Sequence, residues 1–360
     1  MKSLFKLQAS QYLPITAFAL YRDGVMMGTD LEMLVEVQLP IAGLPNDTLI
    51  KRDWLKIVMG AQSGPLTYSD GAINGHVLPE TDMTANEFPM LQSCDREPVA
   101  FFGSLNAKTL KGVALAAGHQ DIRYYLNGVF VDAAHRALVG TDGHRMHVAE
   151  RLDIQPTPAC QLGLFQDQPR LSEDDSGFIL PIAAIEVLLA GCSDAQAISF
   201  RYYSKPKIAV LTYGETTVRT KLIQGCYPDW QKVYTAGTVN KPEKPSSPVT
   251  LTLNTGVARK AIQQHMKLAK ATDDGSRGFH KNIHFRHREL NGTIRTATEA
   301  VSLAGSEEGI SLCGPYVIDA FAFIDVGTLQ LTANVESGEA VHQVVGRHGN
   351  KAVAMSTVRM

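Results

Sequence analysis

The chain has 360 residues, 44% hydrophobic and 19% charged, with a formal net charge of −2; this excludes a disordered chain and shows no overall basic excess of the kind that marks nucleic-acid binders. Five cysteines, an odd number, stand far apart at Cys94, Cys160, Cys192, Cys226 and Cys313 without C-x-x-C spacing, against a disulfide framework or a structural zinc site. No apolar run approaches the roughly 20 residues of a membrane span, and Met1-Lys2-Ser3-Leu4-Phe5-Lys6 has no signal-peptide core, so a cytosolic protein of two or three domains is expected.

In chain order, Tyr21-Arg22-Asp23-Gly24-Val25-Met26-Met27-Gly28-Thr29-Asp30 reads as strand, Asp-Gly turn, strand, and the alternation resumes at Leu34-Val35-Glu36-Val37. A helix is predicted over residues 54–61, and Ser93 to Pro98 reads as a weak domain boundary. A longer helix is predicted at 106–117. After it come Gly128 to Glu150, in the same order as the first unit: Val129-Phe130-Val131, a turn near Ala133-Ala134-His135, Ala137-Leu138-Val139-Gly140, then Met146-His147-Val148. The polar, Pro-containing stretch from Gln155 to Ser176 reads as an inserted surface loop, followed by a helix at 182–190.

Asn240-Lys241-Pro242-Glu243-Lys244-Pro245-Ser246-Ser247-Pro248 reads as a linker. Helices are predicted at 255–271 and 316–324, and between them a fainter hairpin runs through Ile283-His284-Phe285, a turn at Asn291-Gly292, and Thr293 to Thr298. Helix then hairpin is thus the recurring unit, and Gly140-Thr141-Asp142-Gly143-His144-Arg145-Met146 echoes Gly28-Thr29-Asp30-Leu31-Glu32-Met33.

At about 100° per residue, the 255–271 helix gathers Ala258, Ala261, Ile262, His265, Met266, Leu268 and Ala269 on one side. Arg259, Lys260, Gln263, Gln264, Lys267 and Lys270 share the other, with no acid among them. The 106–117 helix buries Leu110, Val113, Ala114 and Ala117 and turns Lys108 and Lys111 outward, again without an acid. Two acid-free basic faces in a chain that is acidic overall point to an anionic partner; lysines that merely solvate helices are the plainer alternative. Gln120, Arg123, Tyr124 and Tyr125 follow the first basic helix, where rings beside a guanidinium suit contact with nucleic-acid bases. Tyr124 has a second reading, as the opening of a strand with its ring in the core.

Nothing marks catalysis. His144, Asp142 and Cys226 lack an activating context, His280, His284 and His287 read as solvent-facing rather than metal-ligating, and Gly-rich phosphate loops are absent.

These segments resemble the bacterial sliding clamp family, the beta subunit of DNA polymerase III. The resemblance rests on Tyr12-Leu13-Pro14-Ile15, Gly28 to Met33 and Asn86-Glu87-Phe88-Pro89-Met90-Leu91, and most strongly on His119 to Gly128, Thr141 to Met146 and Lys221 to Trp230. Tyr316-Val317-Ile318-Asp319 and Val358-Arg359-Met360 extend it more thinly. It implies an α+β fold of three repeated clamp-type domains, at 1–95, 96–238 and 248–360, each with helices packed on antiparallel sheets.

It also implies a cytoplasmic, nucleoid-associated, non-catalytic processivity factor without cofactor or metal. Two chains would close head to tail around double-stranded DNA, touching phosphates through Lys108, Lys111, Gln120, Arg123, Tyr124, Tyr125, Arg259, Lys260, Lys267 and Lys270 without reading bases. Polymerase and clamp-loader subunits would dock short peptides in a cleft comprising Leu126, Thr141, Gly143, His144, Arg145, Met146, Pro228, Lys232, Val233, Val358, Arg359 and Met360.

Three departures from the family pattern stand out. Leu13-Pro14-Ile15 comes early, so a first strand and much of a first helix are expected to be missing. Lys232 replaces a frequent Arg, and Ala354 to Met360 lacks the usual Pro. An adaptor or decoy that keeps the peptide groove without encircling DNA is the alternative function.

Overall fold

The computed structural model describes residues 1–61, 64–94, 96–156, 177–232, 247–272, 282–285, 310–335 and 343–356. They form two compact units, Met1–Lys108 with Leu152–Ile223, and Thr109–Arg151 with Gln224–Met360. The middle segment of the chain therefore supplies strands to both.

In the first unit, helix α1 (Lys2–Lys6) precedes strands β1 (Phe18–Arg22), β2 (Val25–Thr29), β3 (Met33–Gln38) and β4 (Thr48–Lys51), then α2 (Arg52–Ala61). The β1–β2 turn has Asp23 and Gly24 at φ 53° and 77°, the two positive values that a tight hairpin requires. Three two-residue strands, β5 (Tyr68–Ser69), β6 (Ala72–Ile73) and β7 (His76–Val77), make a small separate sheet. β8 (Phe101–Asn106), β12 (Asp153–Pro156), β14 (Ala197–Tyr203), β15 (Ile208–Tyr213) and β16 (Thr216–Lys221) complete the main sheet, in the order β12-β8-β14-β15-β16-β3-β2-β1-β4. β13 (Gly177–Pro181) leads into α4 (Ile182–Ala190).

The sheet passes from one repeat to the next where β16 pairs antiparallel with β3, from Thr216 opposite Val37 to Thr220 opposite Met33. Arg219 Nε donates to Glu36 Oε2 at 2.7 Å across that seam. α1 packs on α4 and α2, and Leu4 and Leu7 press so close to Gly28 that any side chain there would clash. The buried Arg52 guanidinium ties α1 down, donating to the carbonyls of Leu4 at 3.2 Å, Leu7 at 2.8 Å and Thr16. Such a buried cation persists because carbonyl oxygens replace its water.

The second unit holds α3 (Ala107–Ala114, from its third residue), β9 (Gly128–Asp132), β10 (Ala137–Thr141), β11 (Arg145–Ala149), β17 (Ser247–Asn254) and α5 (Thr255–Thr272). β18 (Asn282–Phe285), β19 (Ile310–Cys313), α6 (Gly314–Ile324), β20 (Thr328–Val335), β21 (Gln343–His348) and β22 (Lys351–Ser356) follow. Its strands run β9-β10-β11-β22-β21-β20-β17. Again the seam is antiparallel, β11 against β22, from Arg145 opposite Met355 to Ala149 opposite Lys351. α6 lies over β11 and β22 and packs on α5, while α3 meets it where Gly112 abuts Phe323. Gly140 of β10 lies against Val113 of α3 as Gly28 lies against α1, so α1 holds the place in its repeat that α3 holds in the next. A short helix thus stands where little was expected.

Other expectations shift at their edges. The helix predicted over 106–117 stops at Ala114. Gln155 and Pro156 finish β12 rather than opening a loop, and Ser247-Pro248 begins β17 rather than ending a linker. Ile283-His284-Phe285 is a strand, β18, and its described partner is β19; the expected turn at Asn291-Gly292 lies outside the described residues, as do 157–176, 240–246, His280 and His287.

Candidate functional site

The loop between β10 and β11 is built by its own side chains. Thr141 Oγ1 donates to the Arg145 carbonyl at 2.7 Å and accepts from the Gly143 amide at 3.1 Å, while Asp142 Oδ1 accepts from the amides of His144 at 2.9 Å and Arg145 at 3.0 Å. Short polar side chains that bond the backbone two residues on are what give Thr-Asp-Gly its turn chemistry. Gly143 is at φ 86°, where a side chain would be strained.

Arg145 anchors this loop to the neighbouring repeat. Its Nε donates to Asp142 Oδ2 at 3.1 Å, its Nη1 to Asp319 of α6, and its guanidinium lies 4.3 Å from the Tyr316 ring centroid. With the Arg145 side chain only 12% exposed, these charge-assisted contacts act largely out of water. The Ser356 amide, at the end of β22, donates to the His144 carbonyl at 2.8 Å. Asp319 and Tyr316, absent from the expected cleft residues, are therefore part of its frame.

Leu126 and Met146 are each 2% exposed, and Met146 pairs with Thr141 across the β10–β11 hairpin. Pro228 is set by its neighbours: Tyr227 stacks on Phe130 at 4.9 Å and donates to the Val139 carbonyl at 3.2 Å, and Trp230 Nε1 donates to Asp132 at 2.9 Å. Lys232 is exposed and pairs with Asp229 at 2.9 Å. Val233, Val358, Arg359 and Met360 lie outside the described residues.

Of the DNA candidates, Lys108, Lys111, Lys260 and Lys267 are exposed and Arg259 is half-buried, with Ala258 and Ile262 fully buried on the opposite side of α5. The wheel reading of that helix matches these positions; of Lys270 the structure describes the helical backbone alone. Gln120 is exposed, at φ 55°. Arg123 donates to both oxygens of Asp121, at 3.0 and 2.7 Å, and to the Asp142 carbonyl at 2.8 Å. That guanidinium holds the Asp121 carboxyl down at about 2. Tyr124 belongs to a 3-10 turn (Tyr124–Leu126) and is 58% exposed, which overturns the reading of it as a core ring opening a strand. Tyr125 stands edge-on to it at 5.8 Å.

Among the described residues no cluster of His, Cys, Asp or Glu has the geometry to hold a metal, and no helix is long and apolar enough to cross a membrane.

Strands carried across repeats into continuous sheets, with helices packed over them, define the DNA-clamp fold. In sequence the chain is similar to bacterial beta sliding clamps, at low identity. It is 29% identical over 199 residues to the beta sliding clamp of Pseudomonas putida, a match covering 54% of this chain and 47% of that one. To that of Vibrio cholerae it is 23% identical over 290 residues, covering 73% and 69%. The matched stretch thus spans less than half the length of the Pseudomonas putida relative.

The crystal structure of a Pseudomonas aeruginosa DNA polymerase sliding clamp with ligand superposes over 100% of this chain and 96% of its own, with a TM-score of 0.68 at 17% identity. A Helicobacter pylori beta clamp bound to a DNA ligase peptide gives 0.67 at 17%, with the same coverage. No family model matches the chain.

Proposed function

We propose that this chain is a non-catalytic DNA sliding clamp, with three domains at 1–95, 96–238 and 248–360, that closes as a head-to-tail homodimer around duplex DNA and tethers replication proteins through short peptides. The observation that carries this reading is the seam in the second unit, where a Thr-Asp-Gly-His-Arg loop is locked to α6 by Arg145 beside the end of β22. A loop held in place in this way suits an extended peptide, and the Helicobacter pylori relative bears one from DNA ligase.

The row α3, α6, α5 supports the DNA half. Its outer faces carry Lys111, Arg259, Lys260 and Lys267, and contacts of that type bind phosphate without sequence preference. A cytoplasmic, nucleoid-associated site of action and independence from metals and cofactors belong to the same reading.

The first unit favours a second reading. Its helices mix signs: Lys6 of α1 lies 3.7 Å from Glu186 of α4, and α2 carries Asp53. A clamp-like adaptor or decoy, holding peptides without encircling DNA, would leave this helical face unselected for phosphate.

Retention on nicked circular DNA separates the two. A clamp stays on the circle through gel filtration and leaves when the circle is linearised, and sedimentation shows a dimer. A monomer that binds peptide but is never retained on circles sinks the clamp reading in favour of the adaptor.

A further inference from the structure

At the seam between β3 and β16, the first unit repeats the side-chain-to-backbone bonds of the candidate cleft's loop, with Met33 in the place of Arg145. Thr29 Oγ1 donates to the Met33 carbonyl at 2.8 Å and accepts from the Leu31 amide at 3.0 Å, and Asp30 Oδ1 accepts from the amides of Glu32 at 3.0 Å and Met33 at 2.8 Å. The adjoining strand end matches too: the Lys221 amide donates to the Glu32 carbonyl at 2.9 Å, as that of Ser356 does to His144 at 2.8 Å. Phe88 is buried against Leu20, Met27 and Leu34 and sets Pro89 beside this loop, as Tyr227 sets Pro228.

The two copies differ in what fills the frame. Leu31, at φ 81°, occupies the left-handed step that Gly143 takes at 86°. A leucine in that region is strained, and such outliers persist where surrounding structure holds them, commonly at binding sites. Leu31 projects into a cavity of about 200 Å³ with Thr29, Pro89, Met90, Ile208 and Lys221. The volume is below the roughly 300 Å³ at which sites for drug-sized molecules begin, so it admits one bulky side chain. Ile208 is buried while Met90 is 50% exposed, giving an apolar floor with an adaptable thioether wall.

We propose that this pocket is a second peptide-binding site, taking one leucine- or phenylalanine-sized side chain from an extended acidic segment. The preference for an acidic segment follows from charge: among the described residues, Lys221 is the one ionised side chain lining the cavity. Its ammonium lies 3.2 Å from Glu32 in a pair whose side chains are 51% and 70% exposed, and exposed pairs of that kind are weak enough for a ligand carboxylate to compete. The kind of ligand, though not the pocket, rests on the peptide-cleft reading of the second unit.

Calorimetric titration of the full chain with the peptide Asp-Gly-Leu-Phe-Asp-Gly tests this. Two equivalents are expected for the natural protein, one for Met90→Glu and one for Met146→Glu; Lys221→Glu weakens the same site as Met90→Glu by about tenfold. A single equivalent that Met146→Glu removes and Met90→Glu leaves intact overturns the second site while the cleft stands. A single equivalent that Met90→Glu alone removes keeps the second site and overturns the cleft, and no binding at all overturns both. Met90 is half exposed, so its variant keeps the fold; an unchanged melting temperature verifies that loss of binding is local.

Discussion

His147 lies flat against Phe323, ring centroids 4.9 Å apart and planes 7° from parallel, at the point where α3, β11 and α6 meet. Its Nδ1 donates to the Gly112 carbonyl at 2.7 Å, an acceptor near the end of α3. The carbonyl has no proton to give, so the neutral ring must carry its own on Nδ1. Nε2 is buried and has no hydrogen-bond partner among the described residues.

Stability should consequently fall with acid in a defined window. Burial, reinforced by the Arg145 charge and partly offset by the Gly112 carbonyl, lowers the pKa of His147 from 6.5 to about 4. The unfolded chain then binds the proton more tightly than the folded one. Stability from this residue is complete above about pH 6.5, declines as pH falls toward 4, and changes no further below that; the full loss is about 3 kcal/mol. Urea denaturation across pH measures it. His147→Phe should flatten that part of the curve while costing about 1–2 kcal/mol at neutral pH for the unpaired Gly112 carbonyl.

Gly143→Ala should destabilise the second unit by about 1–2 kcal/mol, because residue 143 has a left-handed backbone. Its methyl group would also collide with the guanidinium of Arg123, breaking the bond from Arg123 to the Asp142 carbonyl. Thermal unfolding reads the first effect, and weakened binding of a Leu-Phe peptide reads the second.

Asp319→Ala should loosen the cleft without unfolding it. Arg145 would keep Asp142 and the Tyr316 ring but lose its tie to α6. With Asp319 28% exposed, the cost is about 1–2 kcal/mol. Peptide affinity should drop several-fold; affinity equal to that of the natural protein would mean that Arg145 alone holds the loop.

Reversal of Arg259, Lys260, Lys267 and Lys270 to Glu should abolish retention on circular DNA and reduce the slope of log affinity against log salt by roughly 2 to 4. The melting temperature should hold, since the core side of α5 is made by Ala258 and Ile262. Unchanged retention would remove α5 from the DNA-facing surface.

Local grammar was readable in the residues. The Asp23-Gly24 turn, the strand alternation around it and the two-sided composition of α5 are properties of neighbours in sequence, and each occurs where periodicity predicts it. The Thr-Asp echo is likewise local, and its two copies share the side-chain bonds of Thr29 and Asp30, Thr141 and Asp142, to the loop backbone. What could not be read was pairing at a distance. Arg145 finds Asp319 from 174 residues away, and nothing in either segment announces the other. β3 meets β16 and β11 meets β22 through backbone groups, which carry no residue signature. Tyr124 could not be placed because a ring preceding a strand satisfies core and surface patterns alike.

The seams also govern what happens when the chain is cut. A fragment ending at residue 95 would strip β16 from β3 and lay open a six-residue edge, Met33–Gln38, in which Met33, Leu34, Val35 and Val37 are buried in the intact protein. Long, flat, apolar edges recruit strands from other molecules. Isolated repeats should therefore precipitate or pair with themselves, whereas proteolysis that spares the β3–β16 ladder should leave the nicked pieces bound together. In this chain the unit of solubility is the joined sheet, larger than any single repeat.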